Sequence, residues 1–217
     1  MGSKRGIPPR TTLNRQNITF RGVPTSYVDY NIEDYTANKE KKRIYKAYLE
    51  NLHQMIEDRV CLFNYGANGT GKTMLSSLVV KEGYRYRYDS YMITLASYIS
   101  LLFGDKTEEV LKTLRYIDKC DILVIDEVGK ENFTVSKSNI SVLENLLRQA
   151  VQKGQVVIIN TNLNQQEFKE QYGASIASLI DGDFTKLPFE EKDHRPRVKG
   201  SKGRDILAEA LKWDMAI

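Results

Sequence analysis

Cysteine and histidine are scarce in this chain, whose 217 residues include two of each. Cys61 and Cys120 lie in or beside apolar runs, and neither has a metal-ligand partner at a useful spacing. The sequence therefore favours neither a disulfide scaffold nor a zinc module. Two buried, reduced thiols are typical of a cytoplasmic protein, which is the location we expect.

Long hydrophobic runs are also missing. No stretch of about 18 consecutive apolar residues occurs, so we expect no membrane span and no membrane partner. The first residues lack the apolar core of a secretory signal. Apolar residues nevertheless make up 41% of the chain, which is enough for the core of one α/β domain with short extensions.

Acidic residues are absent from residues 1–21, which carry five basic residues. Residues 192–204 carry six basic residues against one acid, Asp193. The modest net charge of +4 is thus unevenly distributed, with basic clusters at both ends. Each end is either a segment that binds a polyanion such as a nucleic acid, or a solvated basic tail.

One glycine-containing stretch carries the chemistry. Residues 66–73 read GANGTGKT, which fits the phosphate-binding pattern G-x-x-x-x-G-K-T. An apolar, β-favouring run precedes it at residues 60–65, and a helical run follows it at residues 74–80. Strand, glycine loop and helix are the context that this pattern requires. We expect a nucleoside triphosphate to be bound by Gly66, Ala67, Asn68, Gly69, Thr70, Gly71, Lys72, Thr73 and Met74.

The residue types in this loop explain its expected function. Glycines let backbone N–H groups close around phosphates, and the following helix offers its positive N-terminal end to the same anion. Lys72 is expected to reach the β- and γ-phosphates and so to act in catalysis. Thr73 is expected to place its hydroxyl on Mg²⁺.

A second motif follows the apolar run at residues 122–125. Four apolar residues in a row suit a strand that is buried on both faces of a parallel sheet. Asp126 and Glu127 come directly after it, which is the Walker B pattern. Asp126 is expected to hold Mg²⁺, commonly through water, and Glu127 to orient and deprotonate the attacking water.

Two asparagines follow the next buried strand, predicted at residues 156–159. A polar side chain at this strand end is placed to contact the γ-phosphate or the attacking water. Asn162 is the first choice for this role and Asn160 the second. The alternative for Asn162 is a helix cap or turn residue.

The remaining pattern predicts alternating strands and helices. A second strand is expected through residues 84–94 and a last one near residues 184–189. The order implies a three-layer α/β sandwich around a central parallel sheet, with the nucleotide at the carboxyl edge of the strands. Helices are expected near residues 39–58, from the glycine loop to Gly83, at 95–103, 107–119 and 136–153, and as two short segments around 164–181.

Tyrosine and arginine alternate over residues 84–88. One interpretation is a strand with one wetter face. The other is a strip whose rings stack on bases while its arginines contact phosphates. Both interpretations place these residues in an extended strand.

Several motifs together resemble one family, the DnaC/IstB-like AAA+ ATPases, which include helicase loaders and transposition regulators. The resemblance spans roughly residues 20–197 and implies a P-loop NTPase of the AAA+ (ASCE) class over residues 21–197. It rests on Gly22-Val23-Pro24 and Tyr27 ahead of a helix, the glycine loop, the run from Asp126 to Gly129, and Thr161-Asn162-Leu163.

The family resemblance also implies roles for individual residues, with ATP and Mg²⁺ as cofactors. Lys72, Thr73 and Asp126 would bind Mg–ATP, Glu127 would catalyse hydrolysis, and Asn162 would sense the nucleotide. Arg195, within Asp193-His194-Arg195, resembles the arginine that closes the family's domain and is a further candidate sensor in catalysis.

Partners are implied by the same resemblance. Family members form an ATP-bound homo-oligomer on single-stranded DNA. By the same resemblance, elements after the second strand and near Lys130 would contact that DNA strand. The implied protein partner is a replicative DNA helicase.

Two departures from the family pattern bear on function. Leu179 stands where family members place an arginine that reaches a neighbour's ATP, so hydrolysis is expected to be slow, or Arg148, Arg195 or Arg197 to substitute. Residues 1–20, predicted to be a flexible basic arm, are too short for a domain that grips a helicase. Either that arm, or the basic linker and short C-terminal helix predicted at residues 198–217, is expected to supply the grip, or the protein partner is a different one.

The first functional hypothesis is therefore an ATP-dependent replicative helicase loader that acts in DNA replication. One alternative is an IstB-like transposition or recombination regulator that binds duplex DNA. Another is an interaction module that uses ATP as a clamp and hydrolyses little of it. A small-molecule kinase is disfavoured because no substrate lid is evident.

Overall fold

A single five-stranded sheet lies at the centre of the protein, whose computed structural model describes residues 12–130 and 137–190. Its strands are β1 Cys61–Gly66, β2 Ser90–Thr94, β3 Ile122–Val128, β4 Val156–Thr161 and β5 Phe184–Phe189. They lie in the order β2-β3-β4-β1-β5, and every described pairing is parallel. The carboxyl ends of β1, β3 and β4 therefore meet at one edge, which confirms the predicted parallel sheet.

Helices cover both faces of this sheet. They are α1 Arg15–Phe20, α2 Lys39–Glu50, α3 Leu52–Glu57, α4 Lys72–Arg85, α5 Leu95–Phe103, α6 Glu108–Lys119, α7 Lys137–Lys153 and α8 Gln165–Asp183. Helices α1 to α4 enclose one apolar core with one face of the strands, and α5 to α8 enclose a second core with the other face. The three-layer α/β sandwich is thus confirmed.

Side-chain caps explain where several helices begin. The side chains of Asn38, Thr94 and Thr107 each accept a hydrogen bond from a backbone N–H in the first turn of α2, α5 and α6. Asn164 and Glu167 form a reciprocal capping box at the start of α8. Such caps satisfy N–H groups that have no partner within the helix.

Helix α4 differs from its predicted end. Gly83 was expected to stop it, yet the helix continues to Arg85. A Cβ atom at Gly83 would lie 2.8 Å from Cδ1 of Ile122 on β3. The glycine therefore permits close packing of the helix on the sheet rather than ending the helix.

The strand predicted over residues 84–88 is wrong. Tyr84 lies in the last turn of α4, and the chain then turns before β2 begins. The guanidinium of Arg21 stacks 4.7 Å from the Tyr84 ring centre, and the Tyr88 ring stacks on His53 at 6.1 Å. These rings pack against their own chain, which removes the structural basis for a base-stacking strip.

The flexible arm predicted over residues 1–20 is wrong for its last part. Residues 15–20 form α1, which Asn14 caps, and Ile18 is fully buried in the first core. Burying this isoleucine fixes the segment on the domain. Residues 1–11, 131–136 and 191–217 lie outside the described residues, and with them Arg195, Arg197 and the predicted C-terminal helix.

Other predictions for the chain agree with the structure. The helix predicted at residues 39–58 is interrupted once, at Asn51. Gly173, with a φ of 89°, divides α8 into the two predicted segments. Within the described ranges, no helix combines the length and apolar content needed to cross a membrane.

Candidate nucleotide-binding site

A cleft of about 660 Å³ opens at the carboxyl edge of the sheet. Its lining residues fall into two groups that differ in chemistry, which we name the phosphate end and the aromatic end. The phosphate end is formed by Asn68, Gly69, Thr70, Gly71, Lys72, Thr73, Met74, Thr94, Asp126, Glu127, Lys130 and Asn162. The aromatic end is formed by Pro24, Tyr27, Tyr30, Asp34, Tyr35, Thr36 and Ala37.

The glycine loop follows a path that side chains would obstruct. Gly66 and Gly71 have φ angles of 115° and 94°, a region that other residues rarely adopt. A Cβ atom at Gly66 would lie 2.4 Å from the backbone oxygen of Phe189, and one at Gly71 would lie 2.5 Å from Cε2 of Tyr35. The loop is therefore wedged between β5 and the aromatic end, with α4 starting directly after it.

Lys72 is folded into the loop. Its side chain is almost wholly buried, and its Nζ donates to the backbone oxygens of Gly66 and Ala67 at 2.7 and 2.6 Å. Carbonyl oxygens hold the ammonium in place at the start of α4. A phosphate at this helix N-terminus would offer the same group stronger, charged acceptors.

The expected metal ligands meet across the sheet edge. Thr73 Oγ1 donates to Asp126 Oδ1 at 3.2 Å, and Asn160 Nδ2 donates to the same oxygen at 2.9 Å. Burial raises the pKa of the Asp126 carboxyl, whereas these two hydrogen bonds oppose the increase. One carboxylate and one hydroxyl, completed by phosphate oxygens and water, are the hard oxygen ligands that Mg²⁺ prefers. The residues present therefore fit this ion.

Glu127 has a different environment from its neighbour. Its backbone φ is 56°, in the part of β3 where the pairing with β4 shifts register between Ile125 and Val128. Its side chain is 49% exposed, and Lys130 Nζ lies 3.2 Å from its Oε1. Both side chains line the phosphate end of the cleft, so the Glu127 carboxylate is placed to accept a hydrogen bond from a water molecule there.

The two asparagines after β4 occupy different positions. Asn162 lines the phosphate end of the cleft, as its expected sensing role requires. Asn160, the second choice, is buried beneath the cleft and contacts Asp126. In this structure the amide of Asn160 thus contacts the expected metal ligand itself, and a role in contacting the nucleotide stays a prediction.

The aromatic end was not predicted from the sequence as part of a site. Tyr35 donates through its hydroxyl to the backbone oxygen of Thr70 at 3.0 Å, which joins this segment to the glycine loop. Lys81, from the third turn of α4, donates to the backbone oxygens of Tyr27, at 3.3 Å, and of Tyr30. The signal in the sequence that indicates the aromatic end is the high density of tyrosines shortly before a phosphate-binding loop.

Of the three candidate substitutes for an arginine finger, Arg148 lies within the described residues. Leu179 is partly buried against the second core. Arg148 Nη2 donates to Ser175 at 2.9 Å and its Nε to Glu144 at 3.0 Å, on the α7 and α8 side of the sheet. Arg195 and Arg197 lie outside the described residues.

Fold and site together define the class of the protein: a P-loop ATP-binding domain of AAA+ type. The family described as IstB-like ATP binding protein matches residues 26–181. Because this match covers most of the chain, the protein belongs to that family.

Individual relatives agree with this membership. An insertion sequence IS21-like ATP-binding protein of Bacteroides fragilis is 29% identical over 122 residues, which are 55% of this chain and 58% of the relative. The chain thus spans little more than half the length of that relative.

Solved structures share the fold. The DnaC helicase loader is similar with a TM-score of 0.65 and 17% identity, over 77% of this chain and all of that one. DnaI is similar with a TM-score of 0.63 and 16% identity, over 79% of this chain and 94% of that one. AMPPCP-bound DnaA from Aquifex aeolicus has a TM-score of 0.57 at 19% identity, over 88% of this chain and 56% of that one.

Proposed function

We propose that this protein hydrolyses ATP in a Mg²⁺-dependent reaction at the cleft. The observation that carries the proposal is the arrangement of two adjacent acids at the end of β3: buried Asp126 faces Thr73, and exposed Glu127 lies beside the phosphate end. One acid has the surroundings of a metal ligand and the other those of a general base.

The proposed reaction uses the described residues as follows. The glycine loop and Lys72 bind the triphosphate, and Thr73 and Asp126 hold Mg²⁺, which neutralises charge on the β- and γ-phosphates. Glu127 orients a water molecule and accepts its proton, while Asn162 contacts the γ-phosphate or that water. The adenine base lies at the aromatic end, where tyrosine rings offer apolar faces.

We further propose that ATP binding serves the loading of a replicative helicase onto single-stranded DNA by a homo-oligomer of this chain. Two observations support this role. The fold extends over the whole of the solved DnaC helicase loader, and basic residues cluster at both ends of the sequence. Two free, buried cysteines suit a reducing cytoplasm as its location.

A pull-down from a lysate of the source cells tests the role. Glu127→Gln protein with ATP is the bait, because this variant is expected to bind ATP but to hydrolyse it slowly. Recovery of the replicative helicase, lost in a matched Lys72→Ala bait, is the expected result. Recovery of no helicase would contradict the loader role.

A second function is favoured by the sequence relative. Because that relative is an insertion sequence protein, a transposition or recombination regulator is the alternative. It predicts recovery of a recombinase and tighter binding to duplex than to single-stranded DNA of equal length. Tight ATP binding without DNA-stimulated hydrolysis would instead indicate the ATP-clamped interaction module, which Leu179 in place of an arginine would explain.

A further inference from the structure

A row of buried polar side chains crosses the sheet just below the cleft. Asn64 on β1 and Asn160 on β4 are directly paired in the parallel ladder, and they are 0% and 1% exposed. The residues before them in both strands are apolar and buried. Two amides inside such a core are costly unless their hydrogen bonds are made, so their presence calls for a physical reason.

The hydrogen bonds in this row have a direction. Asn160 Oδ1 accepts from Asn64 Nδ2 at 2.7 Å and from Ser76 Oγ at 3.0 Å. With its oxygen held by these two donors, the amide of Asn160 presents Nδ2 to Asp126 Oδ1, 2.9 Å away. Thr73 donates to that same oxygen. Both donors therefore fix one oxygen of the metal-binding carboxylate.

The row continues away from the cleft to α2. Asn64 Nδ2 also lies 2.6 Å from the hydroxyl of Tyr45, whose side chain is fully buried. Tyr45 belongs to the helix that directly follows the aromatic end of the cleft. The polar row thus connects the proposed metal ligand to α2, the helix that begins just after the residues of the aromatic end.

We propose that Asn160 is a positioning residue for the metal site, and that Asn64 holds Asn160 in the orientation that this requires. This inference rests on the proposed function, because it takes Asp126 to be a metal ligand. Residues that orient a metal ligand commonly change metal affinity by about 10–100-fold when removed. Neither asparagine is among the described residues that line the cleft, and Asn160 reaches the cleft through its hydrogen bond to Asp126.

The test measures metal binding rather than turnover. Mn²⁺ serves as the probe, and its affinity for the ATP-bound protein is read by electron paramagnetic resonance. Asn160→Ala is expected to weaken Mn²⁺ binding by about tenfold. Binding of a fluorescent ATP analogue in EDTA, where no divalent metal is present, is expected to stay within about twofold of the parent. A purely structural role would move both readouts.

A double-mutant cycle tests the coupling. Asn64→Ala is expected to weaken Mn²⁺ binding by less than Asn160→Ala, and the double variant to be no worse than Asn160→Ala alone. Additive losses would show that Asn64 does not act through Asn160. Thermal melts of each variant establish that the protein is folded under the conditions of the titration.

Gln155 provides a matched structural control. It is a buried amide near the opposite end of β4, and its Nε2 donates to the backbone oxygens of Ile117 and Cys120 at 3.0 and 2.6 Å. Gln155→Ala is expected to lower the melting temperature without changing Mn²⁺ affinity. An equal loss of Mn²⁺ affinity in this variant would overturn the positioning role.

The Asp126→Asn variant distinguishes failure of the proposed metal site from failure of the positioning role of Asn160. If it abolishes Mn²⁺ binding while Asn160→Ala leaves it unchanged, the metal site stands and the positioning role is overturned. If Asp126→Asn leaves Mn²⁺ binding unchanged, the metal assignment fails and the positioning role fails with it.

Discussion

The two ends of the cleft are built in opposite ways. The phosphate end consists of a buried ammonium, a buried carboxylate and a glycine loop, with most of its residues in one contiguous stretch. The aromatic end consists of tyrosines and short 3-10 turns within residues 24–37, which we call the lead-in segment and in which Tyr30 is 40% exposed. Charge and backbone geometry dominate at the first end, and apolar contact at the second.

This contrast shows how the two ends are held in place. The residues of the phosphate end lie in the glycine loop, in α4, and at or just after the carboxyl ends of β2, β3 and β4. The lead-in segment has no ladder of strand hydrogen bonds in the described structure and is held by other contacts, among them those of Tyr35 with Thr70 and of Lys81 with the carbonyls of Tyr27 and Tyr30. Substitutions should therefore affect the two ends separately, and the following predictions use that separation.

The largest effect is expected on chemistry at the phosphate end, with binding left intact. Glu127→Gln keeps the size of the side chain but removes the general base. ATP hydrolysis is expected to fall by about 10²–10⁴-fold, while the affinity for ATP remains within about twofold. Steady-state hydrolysis and equilibrium binding on the same preparation check this, with Glu109→Gln on exposed α6 as the control. Hydrolysis at the parent rate would refute the role of Glu127.

The second-largest effect is expected for Lys72→Ala, which should weaken the binding of ATP at the phosphate end. Removing charged hydrogen bonds to the β- and γ-phosphates costs about 3 kcal/mol or more, which corresponds to roughly a 100-fold loss of ATP affinity. Calorimetric titration with ATP and with inorganic triphosphate should show the same loss for both ligands. A loss for ATP alone would place the effect of Lys72 at the aromatic end and contradict the assignment.

Lys81→Met should affect the aromatic end alone. The methionine retains an unbranched side chain but cannot donate to the carbonyls of Tyr27 and Tyr30. The aromatic end is therefore expected to be held less firmly in place. We expect about a tenfold loss of ATP affinity, equivalent to one charged hydrogen bond, with unchanged affinity for inorganic triphosphate. Lys112→Met, on the exposed face of α6, is the control. Equal losses for both ligands would show that Lys81 supports the glycine loop instead.

The residues that meet at the phosphate end were predictable together because they follow from local sequence. Lys72 and Thr73 belong to one short pattern, and Asp126 and Glu127 end an apolar run that suits a buried strand. Their binding of phosphate and metal stays a prediction. The aromatic end and Lys81 were not predictable in this way. A lysine in a helix normally faces solvent, and Lys81 is buried only because a distant lead-in segment crosses it.

The contact between Asn64 and Asn160 was not predicted either, because it depends on which strands are neighbours in the sheet. Asn160 and Asn64 are 96 positions apart, and their contact depends on β1 lying next to β4 in the sheet. An asparagine in each of two otherwise apolar strands is the available signal, but it names no partner. The fold class, by contrast, needed only the order of strands and helices, which the periodicity of apolar residues shows. Asn162 as the sensor remains a prediction.

The smallest effect is expected at Lys130, which pairs with Glu127 within the phosphate end. Exposed ion pairs are worth at most about 1 kcal/mol, so Lys130→Ala should free the carboxylate and raise ATP hydrolysis by no more than about fivefold. Added salt should raise hydrolysis by the parent protein and leave the variant less affected, because salt screens the same pair. Lys112→Ala removes a comparable exposed pair with Glu108 on α6 and should change neither readout. Slower hydrolysis by Lys130→Ala would mean that the pair holds Glu127 in its working orientation, so that the exposed acid, like the buried one, depends on a neighbour for its position.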